Sequence, residues 1–480
     1  MQTDMKKEIV YLISNHKYFV GFLIILTMLE LLPVGTYTLL NAATYKPLMD
    51  FKLATPALNY ILEPFIGIPV YLSTTHYIKP ASISIFSWGL LMVLVYGIIK
   101  RRYKKLPVYV LAYIAGFTIF IVYILFTPFP LLKAIPRNKS FCLIDPHSHT
   151  FYSHDGLVNL KQSIRYHKKQ GFTGWFITEH YNILGGIAEE NITKLDTHKS
   201  MIGEEVRVDH DPHFFLALGI SSTVTAKDIT TVTALARSVH KQGGALVLAL
   251  WWLRGPVDLI HYINDGVDAF EIANAGHKQH LTASIREYAY NISQKYHIPL
   301  IASSDWHGWG NYAYTWTAFK IPGAKDYTSY QLQNIIISMI RNRNNKDIIP
   351  IIYDYPHQYW GVTRFIFEPF FDFYYYFSTL SFKGYISWLI WSFLFMIISS
   401  VYELYRESYY YKPAIMPYVL FIAGSLMSLF YAVHKISSIT FIPVENTLLL
   451  TVIRVLLFYS IGMLAIMTLL LALTMKKKGV

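Results

Sequence analysis

Long and short apolar runs divide this chain into three parts. Six runs approach or exceed the roughly 20 residues that cross a hydrocarbon layer. They are Tyr18–Leu40, Ser82–Ile99 and Pro107–Leu132, then Gly384–Tyr402, Pro413–Val433 and Thr447–Thr474. Between about 140 and 350 the runs shorten to strand length, turn residues separate them, and most of the histidines fall there. The pattern predicts a membrane region of about three helices over 1–138, a globular domain over 139–350, and a second membrane region of about three helices over 351–480. The run "YWGVTRFIFEPFFDFYYYF" (359–377) is dense in aromatics and is expected to form an interfacial helix or aromatic belt.

Within the middle part, seven short runs are strand candidates: "FCLIDPHSH", "GFTGWFITEH", "SMIGEEV", "HFFLALGI", "GALVLALWW", "DAFEIANAGH" and "IPLIASSDWH". Helix-like segments at 157–170, 226–242 and 280–296 lie between several of them. Such alternation predicts an α/β barrel or a doubly wound sheet, whose active groups gather at the C-terminal ends of parallel strands.

Composition agrees with a membrane protein carrying a globular insert. The 480 residues are 53% hydrophobic and 15% charged, below the roughly 25% charge of soluble domains. Net charge is +12, which reads as basic residues held at a cytoplasmic face; no basic–aromatic motif points to nucleic acid. The loop "KRRYKK" (100–105) carries five positive charges and is expected to be cytoplasmic. Counting spans from it places the globular domain outside, and "MKKKGV" at the C-terminus falls inside again. Lys133, Arg137 and Lys139 run against this orientation. The expected location is a bacterial cytoplasmic membrane with the globular domain extracytoplasmic. Glu30 and Arg454 sit inside predicted spans at similar depth, and either pair or remain separate. With one cysteine, Cys142, no intrachain disulfide and no CxxC zinc site can form, so any metal site must use His and carboxylates.

Those residues are concentrated at the strand ends. "IDPHSHTFYSHDG" (144–156) holds three histidines and two aspartates. His147/His149 and Asp305/His307 are spaced i, i+2, so each pair is expected to point one way on a strand. His180 and Glu205 end two further strand candidates. Carboxylates and imidazoles clustered without a metal would leave costly unpaired charge, so the pattern predicts a metal site.

The ordered set "DPHSHTFYSHDG", "ITEH", "GEEV", "HFFLALGI", "FEIANAG" and "ASSDWHG" resembles the PHP family, the polymerase and histidinol phosphatase superfamily, over about 141–320. The resemblance implies a distorted (β/α)7 barrel with two or three divalent ions (Zn, Mn or Fe) and hydrolysis of phosphate esters by a metal-activated hydroxide. Position by position, it implies His147, His149, Glu205 and Asp305 at a first metal, with Glu205 bridging. It implies Asp155, His180 and His307 at another, and His213 at a further ion. The chain departs from the pattern where Leu250 replaces a usual histidine, so the ion at His213 is expected to be weakened or to borrow His277 or His210. Glu179, Glu204 and His154 are expected to stand around the ligands or in solvent, and Glu271 and Asn274 match a family position or pack at a strand end. Arg254 is the candidate phosphate-binding residue, with Trp251 and Trp252 beside it.

The expected function is a membrane-anchored, metal-dependent phosphoesterase. Its expected partners are membrane lipid and a phosphorylated envelope substrate, lipid- or glycan-linked. The alternatives are a metal-binding sensor or assembly module without chemistry, and a transporter-like protein with a regulatory barrel.

Overall fold

A computed structural model describes residues 17–30, 39–73, 78–126, 132–224, 229–250, 257–276, 281–308, 314–353, 362–406, 452–454 and 457. Its strands are β1 (Leu39–Asn41), β2 (Phe51–Ala54), β3 (Lys133–Pro136), β4 (Phe141–Asp145), β5 (Gly174–His180), β6 (Lys199–Arg207), β7 (Phe214–Leu218), β8 (Ala245–Ala249), β9 (Ala269–Asn274), β10 (Leu300–Ser303), β11 (Thr315–Lys320) and β12 (Ile348–Tyr353). β2 and β3 pair by themselves, and the other ten form one mixed sheet in the order β1-β12-β11-β4-β5-β6-β7-β8-β9-β10. The seven runs predicted from sequence are β4 to β10. The predicted helices are present as Leu160–Gln170, Val232–Lys241 and Ala283–Tyr296. Asn159 starts the first with a reciprocal capping box to Gln162, and Gly171 ends it at φ 90°.

The expectation of parallel strands fails at one place. β4-β5-β6 and β8-β9-β10 are parallel, but β7 is antiparallel to both neighbours. The connection from Arg207 to Phe214 is too short for a parallel crossover, which needs about a dozen residues or more, so β7 returns as a hairpin partner of β6. The start of β7 therefore lies at the same end as the C-termini of the parallel strands, which carries His213 to the mouth.

The sheet curls so that its end strand β10 approaches β4 and β11. Just past β4 and β10, Ser148 and Trp306 form a parallel bridge. His149 N donates to Trp306 O (3.0 Å), and Asp305 N to His147 O (2.8 Å). Farther down, hydroxyls replace a missing ladder: Thr315 Oγ1 donates to Ser303 O and Thr317 Oγ1 to Ala302 O, each at 2.6 Å. The inward face is apolar away from the mouth, with Ile144, Phe176, Met201, Leu216 and Val247, and turns polar toward the mouth at Thr178, Glu205 and Glu271; β8 is buried throughout. Trp175 and Trp316 are the largest fully buried side chains, and both indole N–H groups are satisfied, by Glu189 Oε1 and Gln170 O.

The membrane regions differ from the six predicted spans. Among the described residues two helices are long and apolar enough to cross a membrane, Ala81–Ile99 and Tyr103–Leu125. A third span is present if Val362–Ser378 and Phe382–Ile398, bent by 110°, count as one. The run Tyr18–Leu40 is not a continuous helix. Its described helix is Lys17–Glu30, with only Val20–Leu29 as its apolar stretch, and Leu39–Asn41 joins the main sheet beside β12. Backbone pairing at the sheet edge outweighs the apolar character that suggested a span. Pro413–Val433, almost all of Thr447–Thr474, and the side chain of Glu30 lie outside the described residues.

The aromatic segment 359–377 is an inside-out helix from Val362 onward. Ile366, Phe367, Phe370 and Phe373 are exposed, while Arg364, Glu368 and Asp372 are buried. Arg364 Nε bonds Glu368 Oε2 at 2.6 Å, Arg364 Nη2 lies 3.4 Å from Asp372 Oδ1, and Tyr71 donates to the same oxygen at 3.3 Å. Pro369 breaks this helix by removing the donor that Phe365 O would have accepted. The neighbouring helix repairs the loss: Ser84 Oγ donates to Phe365 O and Trp88 Nε1 to Ile366 O, each at 2.5 Å. Such repair is what a bilayer-embedded helix requires.

Candidate metal centre

β4 exits into Pro146 and His147, β5 ends on His180, β6 carries Glu205, and β10 exits into Asp305 and His307. The two i, i+2 pairs therefore lie just beyond the strands, not on them. Asp305 adopts φ 46°, a left-handed conformation uncommon for a residue with a side chain. A buried clasp holds it there. Ser304 donates through its N to Asp145 Oδ1 (2.9 Å) and through its hydroxyl to Asp145 Oδ2 (2.5 Å). His167, stacked on Trp175, places Nε2 3.3 Å from the same Oδ2.

Among the described residues, two groups have ligand atoms close enough to share an ion: His147, His149, Glu205 and Asp305, and His149, Asp155, His180 and His307. Glu205 Oε2 sits between them, 3.3 Å from His147 Nε2, 3.2 Å from His149 Nε2 and 3.2 Å from His180 Nδ1. Asp305 Oδ1 is 3.2 Å from both His147 Nε2 and His149 Nε2. Asp155 Oδ2 is 3.3 Å from His180 Nε2 and from His307 Nε2. Donors about 2.1 Å from one ion stand roughly 3.0–3.4 Å apart in octahedral or tetrahedral geometry, and these separations match. Asp155 Oδ1 is buried without a hydrogen-bond partner among the described residues.

The far nitrogen of three rings is anchored. His147 Nδ1 is 3.1 Å from Glu271 Oε1, His149 Nδ1 is 2.9 Å from Ser153 Oγ, and His307 Nδ1 is 2.9 Å from Asp305 O. The Glu271 carboxylate and the Asp305 carbonyl only accept, so they favour the tautomer that leaves Nε2 of His147 and His307 as a lone-pair donor, the arrangement expected of ligating histidines, and Ser153 orients His149. Ser303 in turn bonds Glu271, and Thr150 bonds Glu179 through both N and hydroxyl. Asp145, counted among the candidate ligands, instead holds Ser304, while His167, Ser153, Ser303 and Ser304 are neighbours that spacing alone does not reveal; the serine pair ahead of Asp305 is the one local hint.

Without an ion, the cluster holds itself together by protons. Burial opposes charge on His147 and His307, but facing carboxylates outweigh it. Asp305, Glu271 and Glu205 hold His147 well above its ordinary value, and Asp305 and Asp155 hold His307 at about 10. Burial likewise works to raise Glu205, Asp305 and Asp155, and the surrounding imidazoles pull all three below the usual carboxylate range. No Lys or Arg lies within ion-pair distance of these carboxylates among the described residues, so three negative groups converge with imidazole alone as countercharge.

The remaining predicted residues separate from this centre. His213 belongs to neither group. Its Nδ1 is 2.9 Å from Asp211 Oδ1 and 2.9 Å from Tyr262 OH, and Leu250 is fully buried where a further ligand was expected. His210 is exposed at φ 68°. Glu204 is buried and accepts from Val224 N (2.7 Å) and from Thr223. His154 is half exposed, with Nε2 3.8 Å from Asp155 Oδ2. Arg254, His277, Trp251 and Trp252 lie outside the described residues.

No protein-family model matches the chain. No curated protein matches it. Among solved structures it is similar to a candidate metal-dependent phosphoesterase from Bifidobacterium adolescentis, at 16% identity and a TM-score of 0.29, over 34% of this chain and 87% of that one. It is also similar to an amidohydrolase from Chromobacterium violaceum with bound sulfate and no metal, at 13% identity and a TM-score of 0.27, over the same shares of each chain.

Proposed function

We propose that this chain is a membrane-anchored, metal-dependent phosphoesterase that hydrolyses a phosphate mono- or diester beside the bilayer. One observation carries the reading: two four-residue ligand groups share His149, with Glu205 Oε2 placed between them. Nitrogen and carboxylate donors without thiolate suit Zn, Mn or Fe. His147, His149, Glu205 and Asp305 would hold one ion, and Asp155, His180 and His307 its neighbour. Bound divalent ions lower the pKa of water toward about 7 and offset the charge that develops on a phosphoryl group. Glu271, Ser153 and the Asp305 carbonyl keep the imidazoles aimed, and the Asp145–Ser304 clasp keeps Asp305 in its strained conformation. Arg254 is proposed to bind the phosphate. The basic loop at 100–105 supports an extracytoplasmic barrel, and that placement favours an envelope lipid or glycan phosphate as substrate.

The test is hydrolysis of p-nitrophenyl phosphate, its bis ester and a lipid phosphate by full-length protein in detergent, with Zn, Mn or Fe supplied. Turnover on one ester class, abolished in Asp305→Ala, is expected. Bound metal with no turnover on any of the three would instead support the sensor reading, which the buried Leu250 and the diverted His213 favour.

A further inference from the structure

Away from the metal centre, a cavity of about 160 Å³ opens between the helices Glu63–Ser73 and Val362–Ser378 and the end of β12. Glu63, Tyr60, Tyr71 and Tyr376 line it from the helical side, and Leu132 and Tyr353 from the sheet side. It is far larger than the roughly 10–15 Å³ that a single water needs. Glu63 Oε1 accepts from Tyr376 OH at 2.9 Å, and Tyr376 OH in turn accepts from Trp388 Nε1 at 3.1 Å. Among the described residues no Lys, Arg or His nitrogen lies within ion-pair distance of Glu63. Burial pushes this carboxyl up to about 7, against the pull of the Tyr376 bond. Gly67 leaves the room in which Glu63 Oε1 and Tyr376 OH meet; a Cβ there would displace both.

One carboxylate framed by four phenol rings selects among ligands. It repels phosphate. The single carboxylate supplies half the charge of calcium or magnesium, whose protein sites draw on several carboxylate and carbonyl oxygens. It matches an organic ammonium, which takes one countercharge and aromatic faces. One of the rings already engages a cation on this pattern: Lys383 Nζ stands 5.1 Å from the centroid of Tyr60. We propose that the cavity binds the ammonium of an amine-bearing headgroup, with Glu63 as countercharge and Tyr60, Tyr71 and Tyr376 as its walls. The source is an aminophospholipid or a free amine. The site stands whether or not the barrel is a phosphoesterase. An occupied cavity would press on Leu132 and Tyr353, which pack against the cluster containing Trp306, the residue between Asp305 and His307.

The experiment is native mass spectrometry of delipidated full-length protein in detergent, titrated with phosphatidylethanolamine, phosphatidylglycerol and ethanolamine. We expect one phosphatidylethanolamine held at least tenfold more tightly than phosphatidylglycerol, with the preference lost in Glu63→Gln. Displacement by ethanolamine would assign the amine alone as the ligand; Glu63-dependent binding that ethanolamine does not displace would assign the intact lipid. Should Glu63→Gln fail to fold, Tyr60→Leu compared with Tyr60→Phe decides, the leucine variant being expected to bind at least threefold more weakly. Equal retention of both lipids, or a preference unchanged by the substitutions, would overturn the proposal.

Discussion

Two regions of this molecule bury charge, and they do so in opposite ways. In the helix Val362–Ser378, Arg364 stands among Glu368, Asp372 and Tyr71, so the network carries its own cation and its own hydrogen bonds. At the barrel mouth, Asp155, Glu205 and Asp305 converge on imidazoles whose far nitrogens are tied back, and no guanidinium or ammonium joins them among the described residues. A buried ionic network completed by an arginine is glue. One whose ligand atoms stand about 3.2 Å apart has only protonated imidazole as countercharge until a cation arrives.

Removing a member should therefore do different things in the two places. At the mouth, His147→Ala/His149→Ala removes donors from both groups. It should lower hydrolysis on the order of 10³-fold or more, since metal assistance is worth several kcal/mol, and abolish stoichiometric metal. In the helix, Arg364→Met should cost about 3–5 kcal/mol by leaving two buried carboxylates unpaired. A large fall in melting temperature in detergent should report this, with unchanged metal content per folded chain. If Arg364→Met strips metal while sparing stability, the contrast between the regions is wrong.

A gentler change sharpens the comparison. Glu271→Gln keeps the shape beside His147 Nδ1 but weakens the bond that fixes its tautomer. Metal affinity should fall about 10–100-fold, read by competition with a chelator, with little loss of stability. Ser84→Ala, at the repaired break before Pro369, should cost only about 1 kcal/mol and leave metal binding untouched.

Protons test the countercharge directly. His307 in the ion-free protein is held at about 10 against an ordinary value near 6.5, so it is protonated at neutral pH. Because the folded value is the higher one, this pairing stabilises the ion-free fold fully below about pH 6.5, and the stability is lost as pH rises through about 10. Metal must displace that proton. Affinity should therefore climb as pH rises from about 6 to 8, with proton release visible as a buffer-dependent heat in calorimetry. Affinity independent of pH over this range would count against His307 as a ligand.

How much of this was readable in the chain follows physical lines. The seven strands β4 to β10 were legible because each is a short apolar run closed by turn residues, and the helices between them because their polar faces alternate. The reversal of β7 was encoded only in the length of the link from Arg207 to Phe214, a feature that apolar periodicity does not carry. Tyr18–Leu40 misled because Leu39 and Leu40 are as apolar as a span, and only pairing with Ile352 and Tyr353 makes them a strand. The residues that meet at the mouth were named from local motifs. Glu271 and Asp145 were named too, but not the contacts they make, since Glu271 lies 124 positions from His147 and Asp145 lies 159 from Ser304. His213 shows the same limit in reverse. Its motif pointed to a metal, but it stands outside both ligand groups, with its Nδ1 held by Asp211 and by Tyr262, 49 residues away.

The most direct measurement is the metal content of full-length protein purified in detergent, by elemental analysis, beside His147→Ala/His149→Ala. The account predicts about two divalent ions per chain in the natural protein and fewer than one in the variant, both proteins melting cooperatively. A folded natural protein that holds no stoichiometric ion after Zn, Mn and Fe are offered would contradict the central claim, and the converging carboxylates would need another countercharge.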